Sequence, residues 1–355
     1  MSILFKSECG WILSHESFVP EMFHNVDIAK EICKYRFKRD LFRIMKPFTV
    51  TEYKPGRKRK YLDDGNYPEE IQLVKEKFES ILSNTMNNLF SDNFESYEKE
   101  DNNLSARLAS KSHFETIGNN TSTFSGRNEN DFPIVVEISD GQYLIPAKSK
   151  FYCCNVFDLR SKFNDDQKFD FILLDPPWWN KYIRRKRKKA EKEGYKMMCN
   201  DDISTIPVGD LLQNNGLVAM WCTNSANHLK SVKEDIFPSW GINYLSSWFW
   251  VKVTRRGETV CQFSQPPRKQ PYERIVFGSL PNRHESLPSP EDNKIIISVP
   301  SAIHSHKPPL IDVLANYLPL SPVCLELFAR YLLPTWTSCG DQVLSLQSLN
   351  LYEPC

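Results

Sequence analysis

Several signals that define large protein classes are missing from this 355-residue sequence. Its ten cysteines form no CxxC pair, which argues against a zinc cluster or a disulfide framework and favours reduced thiols in a cytosolic or nuclear setting. No apolar run approaches the roughly 20 residues that a membrane-spanning helix needs, and the first residues, MSILFKSECGW, lack a secretory pattern. No GxGxxG motif follows an early strand, which disfavours a nicotinamide or flavin enzyme. We therefore expect a soluble, intracellular protein without a membrane or metal partner.

Charge of one sign is not in excess either, because the formal net charge is +1. Hydrophobic residues make up 41% and charged residues 25% of the chain, as in ordinary globular proteins. The basic residues are nevertheless clustered, four in a row at Arg57–Lys60 and six in a row at Arg184–Lys189. Such runs can be solvated loops, and they can also contact nucleic-acid phosphates or serve as a nuclear address.

The chain divides by composition near residue 130. Residues 1–130 are expected to form a mostly helical accessory region, with helices at Asp27–Met45 and Pro68–Asn88, and RNA-binding and regulatory roles are both open for it. A polar stretch predicts a flexible junction near residues 95–130. Residues 131–355 alternate strands with helices, which predicts an α/β domain with a largely parallel, doubly wound sheet.

The expected strands of this second part follow apolar or alternating runs. They are Pro133–Ile138, Gln142–Pro146, Phe151–Val156, Phe169–Leu174, Gly216–Cys222, Trp248–Val253, Arg274–Gly278, Ile295–Val299, Cys324–Phe328 and Val343–Leu346. The expected helices are Ile206–Gln213, Ser225–Phe237 and Pro309–Tyr317.

The strand Phe169–Leu174 ends in Asp175-Pro176-Pro177-Trp178. Ligand chemistry in open α/β sheets lies beyond the carboxyl ends of the strands. The two prolines stiffen the turn and bring no N–H of their own, so the Asp175 carboxylate and the Pro176 carbonyl are left as two neighbouring acceptors beside an aromatic ring. Two such acceptors suit a planar exocyclic amino group, whose lone pair they can turn toward an electrophile.

This motif resembles the signature of the eukaryotic adenine-N6 methyltransferases, the family of the mRNA N6-adenosine writer. Further blocks, IHSHKP at 303–308 and CLELFAR at 324–330, follow in the order of that family. The resemblance implies a circularly permuted Rossmann-like fold, S-adenosylmethionine as the cofactor, and transfer of a methyl group to N6 of adenine in nucleic acid. It assigns the catalytic role to Asp175, Pro176, Pro177 and Trp178.

The resemblance also implies a set of cofactor contacts. Glu326 and Arg330 would hold the ribose, Lys307 the methionine carboxylate, and Asp175 the methionine amine. The adenine contacts would be Asn155, Val156, Asp341 and Gln342. Ala329 stands where the family usually has glycine, and Asn155 where better-known members have aspartate. Read alone, His304 and His306 suggest a metal pair, but two histidines are too few ligands for a closed site.

The residues after the motif point to nucleic acid. Trp178 would offer a face to the extruded base, with Trp179 in the core, and the basic run would contact phosphates. Glu273 occupies the family's acidic position near the target base, and a buried ion pair with Arg274 is the competing interpretation. The predicted substrate-binding residues are Trp178, Asn180, Lys181, Arg184, Arg185, Lys186, Arg187 and Glu273.

Asn180-Lys181 departs from the mRNA writer and is similar to a branch that acts on adenosine, including 2′-O-methyladenosine, in small nuclear RNA. A DNA adenine or cytosine-N4 methyltransferase is the alternative within enzymes, and a noncatalytic RNA-binding scaffold subunit is the alternative outside them. We expect a protein active as a monomer and located in the nucleus, with the cytoplasm as the second location.

Overall fold

The structure is a computed structural model. It describes residues 2–28, 31–48, 67–85, 90, 102–116, 123–139, 141–164, 166–179, 197–265, 269–283 and 287–355. Both basic runs, the parts 95–101 and 117–122 of the expected junction, and the predicted substrate residues Asn180, Lys181 and Arg184–Arg187 lie outside these ranges.

Seventeen strands are found in the described ranges. They are β1 Ile3–Ser7, β2 Gly10–Leu13, β3 Val26–Ile28, β4 Glu31–Cys33, β5 Tyr35–Phe37, β6 Phe124–Arg127, β7 Ile134–Ile138, β8 Gly141–Ile145, β9 Lys150–Cys153, β10 Phe169–Leu174, β11 Leu212–Cys222, β12 Asn243–Lys252, β13 Tyr272–Ser279, β14 Ile295–Ser298, β15 Cys324–Leu327, β16 Thr337–Cys339 and β17 Tyr352–Pro354.

The α-helices in the same ranges are mostly short. They are α1 His15–Met22, α2 Tyr67–Ser83, α3 Asn102–Thr116, α4 Asn200–Ser204, α5 Val208–Leu211, α6 Ala226–Ser231, α7 Phe237–Ser239 and α8 Ile311–Leu314. A π-helical turn, Val232–Ile236, joins α6 to α7, and 3₁₀ turns lie at Arg39–Phe42, Val156–Ser161, Ala315–Tyr317 and Leu349–Leu351. Across these described helices, none combines the length and the apolar character that crossing a membrane requires.

One eleven-stranded sheet organises the molecule, in the order β1-β2-β14-β12-β13-β11-β10-β15-β16-β9-β6. The run from β11 through β10, β15 and β16 to β9 is parallel, and β13 is antiparallel to both of its neighbours. Helix α2 and the helical segment 226–239 cover one face, while α1 and α8 cover the other. The predicted α/β class with a mostly parallel, doubly wound sheet is confirmed.

The strand β10 lies at the centre of the sheet with both faces buried. Phe171 and Leu173 pack into one apolar cluster, and Ile172 and Leu174 pack into the cluster on the opposite face. A strand covered on both sides carries a continuous apolar run rather than an alternating one, and this explains why the sequence located β10 with its observed bounds.

The strand order has the permuted character that the resemblance implied. β15 follows β10 late in the chain, yet the two strands are direct parallel neighbours, with Leu173 opposite Glu326 and Leu174 opposite Leu327. Their carboxyl ends therefore meet at one edge of the sheet, where ligands of such folds bind. This pairing brings Asp175 and Glu326 to the same edge.

The N-terminal region contributes strands as well as helices. β2 pairs in parallel with β14, Trp11 opposite Ile296, and β1 extends the sheet beyond it. The expected division near residue 130 stays a prediction, but strands from both sides of it share one sheet.

The helix expected at Asp27–Met45 is wrong, because this segment forms β3, β4, β5 and a 3₁₀ turn. Ile32, which the helical spacing placed on the apolar face, is 70% exposed, whereas Tyr35 and Phe37 are buried in the two-residue alternation of a strand. Pairing of β5 with β17, Phe37 opposite Tyr352, overrides the local pattern.

Other local expectations have mixed outcomes. The helix at Pro68–Asn88 is confirmed as α2, and the expected hairpin is confirmed as β7 and β8. The strand expected at Val343–Leu346 is wrong, since this segment forms turns whose apolar side chains are buried. β16 was missed because its three residues, Thr-Ser-Cys, carry little apolar signal.

Candidate active site

The Asp175–Trp178 turn at the tip of β10 is held by backbone hydrogen bonds. The Trp178 N–H donates to the Pro176 carbonyl at 2.9 Å. The Met198 N–H donates to the Pro177 carbonyl at 2.9 Å, and the Trp179 N–H donates to the Met198 carbonyl at 3.0 Å. The turn is thus fixed from within and from a neighbouring segment, as positioning of a reacting group requires.

The buried side chain of Trp178 anchors this turn in the protein interior. Its indole N–H donates to the Trp221 carbonyl at 2.9 Å, and its ring stacks on His228 with centroids 5.0 Å apart and planes 21° apart. Trp178 is only 6% exposed, whereas Trp179 is 48% exposed. The exposures are the reverse of the sequence interpretation, which gave Trp178 a free face and placed Trp179 in the core.

His228 is a functional candidate that the sequence interpretation missed. Its Nδ1 lies 2.8 Å from the Thr223 hydroxyl. Burial lowers the pKa of His228, against a smaller opposing effect of its hydrogen bond with the Trp179 backbone. The imidazole is therefore uncharged at neutral pH, and its ring stacks against that of Trp178. A lone histidine in a helix carries no motif that would have revealed this role.

Replacing His228 with alanine should lower kcat for methyl transfer about tenfold, because the Trp178 ring loses its stacking partner and the turn loses a backbone contact. His228→Phe, which keeps the stack without the hydrogen bonds, should recover part of the loss. Steady-state kinetics on both variants measure this effect. An unchanged kcat in His228→Ala would show that Trp178 is held without the imidazole.

Two acids and two lysines alternate beside the turn. The Lys307 ammonium lies 3.4 Å from the Asp175 carboxylate and 2.6 Å from the Glu273 carboxylate. Lys252 forms the second ion pair of Glu273. The sequence interpretation chose Lys307 and Glu273 but not Lys252, which comes to the site along β12. The cluster joins β10, β12, β13 and the segment that follows β14 into one polar unit.

The pKa values in this cluster reflect burial and pairing. Burial raises the pKa of Asp175, and Lys307 offsets only part of that rise. For Glu273 burial also acts to raise the pKa, but Lys252 and Lys307 outweigh it and hold the pKa well below its usual range. Burial lowers the pKa of Lys252, against the pull of Glu273. Glu273 is thus the fixed anion of the cluster, and Asp175 is the carboxyl that is held less firmly in its charged form.

The competing interpretation of Glu273, an ion pair with Arg274, is wrong. Arg274 points to the other face of β13 and pairs with Glu70 of α2 at 2.5 Å. The Tyr272 hydroxyl donates to the same Glu70 carboxylate at 3.0 Å. Helix α2 therefore holds the strand that carries Glu273.

Glu326, on β15, is the third acid at this site. It is 6% exposed, and burial, with a further contribution from Asp175, raises its pKa to about 8. Its Oε2 is buried and has no hydrogen-bond partner in the structure. A buried acceptor without a donor is costly for the protein alone, and it fits a ligand that brings hydroxyl groups, as a cofactor ribose does.

The raised pKa of Glu326 predicts how stability changes with pH. Because the folded-state pKa lies above the usual value for glutamate, the folded protein holds the proton more tightly than the unfolded chain, and stability falls as pH rises from about 4.5 to 8. Glu326→Gln cannot ionise, so its stability relative to the wild type should rise by about 4 kcal/mol between pH 5 and pH 9. Thermal melts of the two proteins across this range test it, and parallel curves would contradict the raised pKa.

The segments expected to hold the cofactor adenine lie together. The Asn155 side chain accepts a hydrogen bond from the Phe157 N–H at 3.2 Å and so caps the 3₁₀ turn that begins at the buried Val156. The Gly340 N–H donates to the Tyr152 carbonyl at 3.1 Å, which brings the following Asp341 and Gln342 beside the end of β9.

Arg330, a predicted ribose contact, and Ala329, at the usual glycine position of the family, both follow β15. The Arg330 guanidinium donates to the His304 carbonyl at 2.8 Å, so it links CLELFAR to IHSHKP. Ala329, at the position where the family usually has glycine, is buried in an apolar cluster with Leu332 and Val343. Its methyl group is therefore accommodated by packing.

The two histidines of IHSHKP have separate surroundings. His306 is buried among aromatic rings, with its centroid 5.0 Å from that of Phe37, and burial, with a smaller effect of His113, lowers its pKa to about 3. His304 is exposed and contacts Ser305. In the part of the chain that the structure describes, no three His, Cys, Asp or Glu side chains are grouped so as to hold a metal ion.

The permuted sheet, the proline turn at the tip of β10 and the buried acid at the tip of β15 define the chain as an α/β protein of the Rossmann-like methyltransferase class. The family model described as MT-A70 matches residues 169–342, a range that runs from β10 to the predicted adenine contact Gln342. Residues 169–342 therefore belong to the MT-A70 family, which confirms the resemblance seen in the sequence.

Individual relatives agree with this family. The chain is 38% identical over 234 residues to the N(6)-adenine-specific methyltransferase METTL4 of Homo sapiens, across 63% of this chain and 48% of the relative. It is 35% identical over 228 residues to the DNA N6-methyl methyltransferase of Caenorhabditis elegans, across 64% and 60%. It is 31% identical over 220 residues to the N6-methyladenosine RNA methyltransferase MTA1 of Pyricularia oryzae, across 59% and 57%. The match thus spans about half the length of the human relative.

Proposed function

We propose that this chain transfers a methyl group from S-adenosylmethionine to N6 of an adenine in nucleic acid. The observation that carries the proposal is the meeting of Asp175 and Glu326 at the tips of two neighbouring parallel strands. One acid faces a reacting group and the other a cofactor ribose, with Lys307 and Glu273 beside them.

The residues of the chain bind and orient the reactants. Glu326 would accept hydrogen bonds from the ribose hydroxyls through its unpaired oxygen. When bound, S-adenosylmethionine supplies an activated methyl group on sulfonium. Asp175 and the Pro176 carbonyl would accept the two N–H groups of the adenine amine, which turns the nitrogen lone pair toward that methyl group. The rigid turn and the buried Trp178 keep both acceptors in place.

We infer that RNA is the favoured substrate, with 2′-O-methyladenosine in small nuclear RNA as the specific target. A base in single-stranded or loop RNA reaches such a site without the few kcal/mol that extrusion from a duplex costs. DNA adenine is the second candidate, and the similarity to the DNA N6-methyl methyltransferase of Caenorhabditis elegans favours it. The basic runs Arg57–Lys60 and Arg184–Lys189 support phosphate binding and a nuclear rather than cytoplasmic location.

Methyl transfer to matched oligonucleotides tests the proposal. The purified chain is given radiolabelled S-adenosylmethionine with RNA and DNA of one sequence, single-stranded and duplex, and with or without a 2′-O-methyl group on the target. Mass spectrometry of the nucleosides should find the label on N6 of adenosine, most strongly in single-stranded RNA. Label on cytosine N4 would overturn adenine N6 as the target atom. Transfer to DNA alone would overturn RNA as the favoured substrate.

Calorimetry with S-adenosylmethionine separates the enzyme from a noncatalytic scaffold, because a scaffold should not bind the cofactor. Light scattering on the active preparation tests whether the chain works as a monomer. Cofactor binding lost in Glu326→Ala but kept in the wild type would support the ribose assignment.

A further inference from the structure

Trp179 is the exposed aromatic residue beside the catalytic turn. Its side chain is 48% exposed, although it follows directly on the buried Trp178 and stands four positions after Asp175. Trp179 therefore presents an aromatic ring to solvent directly after the turn, and a tryptophan ring of this kind is well suited to contact a partner.

The backbone of Trp179 is held on both sides. Its N–H donates to the Met198 carbonyl at 3.0 Å, and its backbone also forms the hydrogen bond with His228. The ring therefore projects from a fixed point, so a ligand that contacts it loses little free energy in ordering the protein.

Trp178 is not free to offer such a surface. One face of its indole is covered by His228, and its N–H is taken by the Trp221 carbonyl. A base that enters beside Asp175 thus meets a turn whose first tryptophan is internal and whose second is external. The external ring has the right chemistry for a nucleobase, since every base has a π-face.

We propose that Trp179 stacks on the nucleobase adjacent to the target adenine in a single-stranded segment. This inference rests on the proposed function and adds a second base-binding position to it. Stacking of one base on an aromatic side chain contributes roughly 1–3 kcal/mol, and it holds the strand while the neighbouring adenine reaches Asp175.

Oligonucleotides that lack single bases test the stacking. Fluorescence anisotropy gives the Kd of the wild type, Trp179→Ala and Trp179→Phe for a single-stranded RNA with one adenosine. The same measurement is repeated on RNAs with an abasic nucleotide at each flanking position in turn. Phe132→Ala is the matched control, because Phe132 is 52% exposed and lies outside the site.

On the intact RNA, Trp179→Ala should raise Kd and KM by about 5- to 150-fold with kcat nearly unchanged, and Trp179→Phe should keep most of the affinity. An abasic nucleotide at one flanking position should weaken wild-type binding similarly, and Trp179→Ala should add no further loss there. Phe132→Ala should bind like the wild type.

An equal loss in Trp179→Ala on every abasic RNA would overturn the stacking, and so would an unchanged Kd or a fall in kcat alone. The failure of the proposed function looks different: the wild type would bind RNA but transfer no methyl group, and the anisotropy series would still decide the role of Trp179. A wild type that binds no nucleic acid would overturn both.

Discussion

Replacing Asp175 with alanine is expected to lower kcat for methyl transfer on the order of a thousandfold, the scale seen when a preorganised electrostatic group is removed. The change deletes the acceptor that orients the adenine amine and leaves only the Pro176 carbonyl. The carboxylate makes only one hydrogen bond to the base, so KM for the oligonucleotide should change far less than kcat.

The fold should survive this substitution. Burial raises the pKa of Asp175, which means that its ionised form does not stabilise the folded state. The Lys307 ammonium keeps Glu273 at 2.6 Å, so no buried charge is left without a partner. The site is therefore built so that the reacting carboxylate can be removed without unfolding the protein around it.

Single-turnover kinetics with saturating cofactor, together with a thermal melt, measure both halves of this prediction. Asp235→Ala is the matched control, since Asp235 lies exposed in the helical segment 226–239, and it should keep wild-type rates. Wild-type activity in Asp175→Ala would show that Asp175 is not the catalytic carboxylate. A large loss of thermal stability would instead give Asp175 a structural role.

Sequence patterns predicted strand positions best where a strand is buried along its whole length. β10 was located with its observed bounds because both of its faces are covered, and Asp175 follows it directly. Glu326 was assigned from the resemblance of CLELFAR to the family, and it lies in the fully buried strand β15. Proximity of these two acids was implied by the resemblance, and the parallel pairing of the two strands confirms it.

Contacts between segments that are distant in the sequence determine the features that the sequence alone did not predict. Two adjacent tryptophans look alike in a sequence, and it is His228 and the Trp221 carbonyl that bury Trp178 and leave Trp179 outside. Lys252 carries no motif and reaches the site only because β12 pairs with β13, Trp250 opposite Glu273. Pairing overrides local propensity in the same way at β5.

Replacing Glu70 with alanine should destabilise the folded protein by about 3 kcal/mol, since removal of one partner from a buried ion pair leaves the other charge uncompensated. Arg274 is 4% exposed on β13. Burial acts to lower its pKa, but Glu70 outweighs that effect and raises it. The Tyr272 hydroxyl loses its acceptor in the same variant.

Glu79→Ala on the same helix is the matched control. Glu79 pairs with Lys75 in an exposed i,i+4 arrangement at 3.8 Å, which typically contributes only a few tenths of a kcal/mol. Thermal melting should therefore separate the variants, with Glu70→Ala lower by about 5 °C and Glu79→Ala close to the wild type.

The activity of Glu70→Ala tests whether helix α2 supports the active site. Arg274 directly follows Glu273 in β13, so freeing the arginine disturbs the strand that presents the fixed anion of the active site. A fall in kcat at temperatures where the variant remains folded would mean that α2, although it precedes residue 130, belongs to the catalytic unit. If Glu70→Ala instead melts and turns over like the wild type, the Glu70–Arg274 pair contributes neither to stability nor to the position of Glu273.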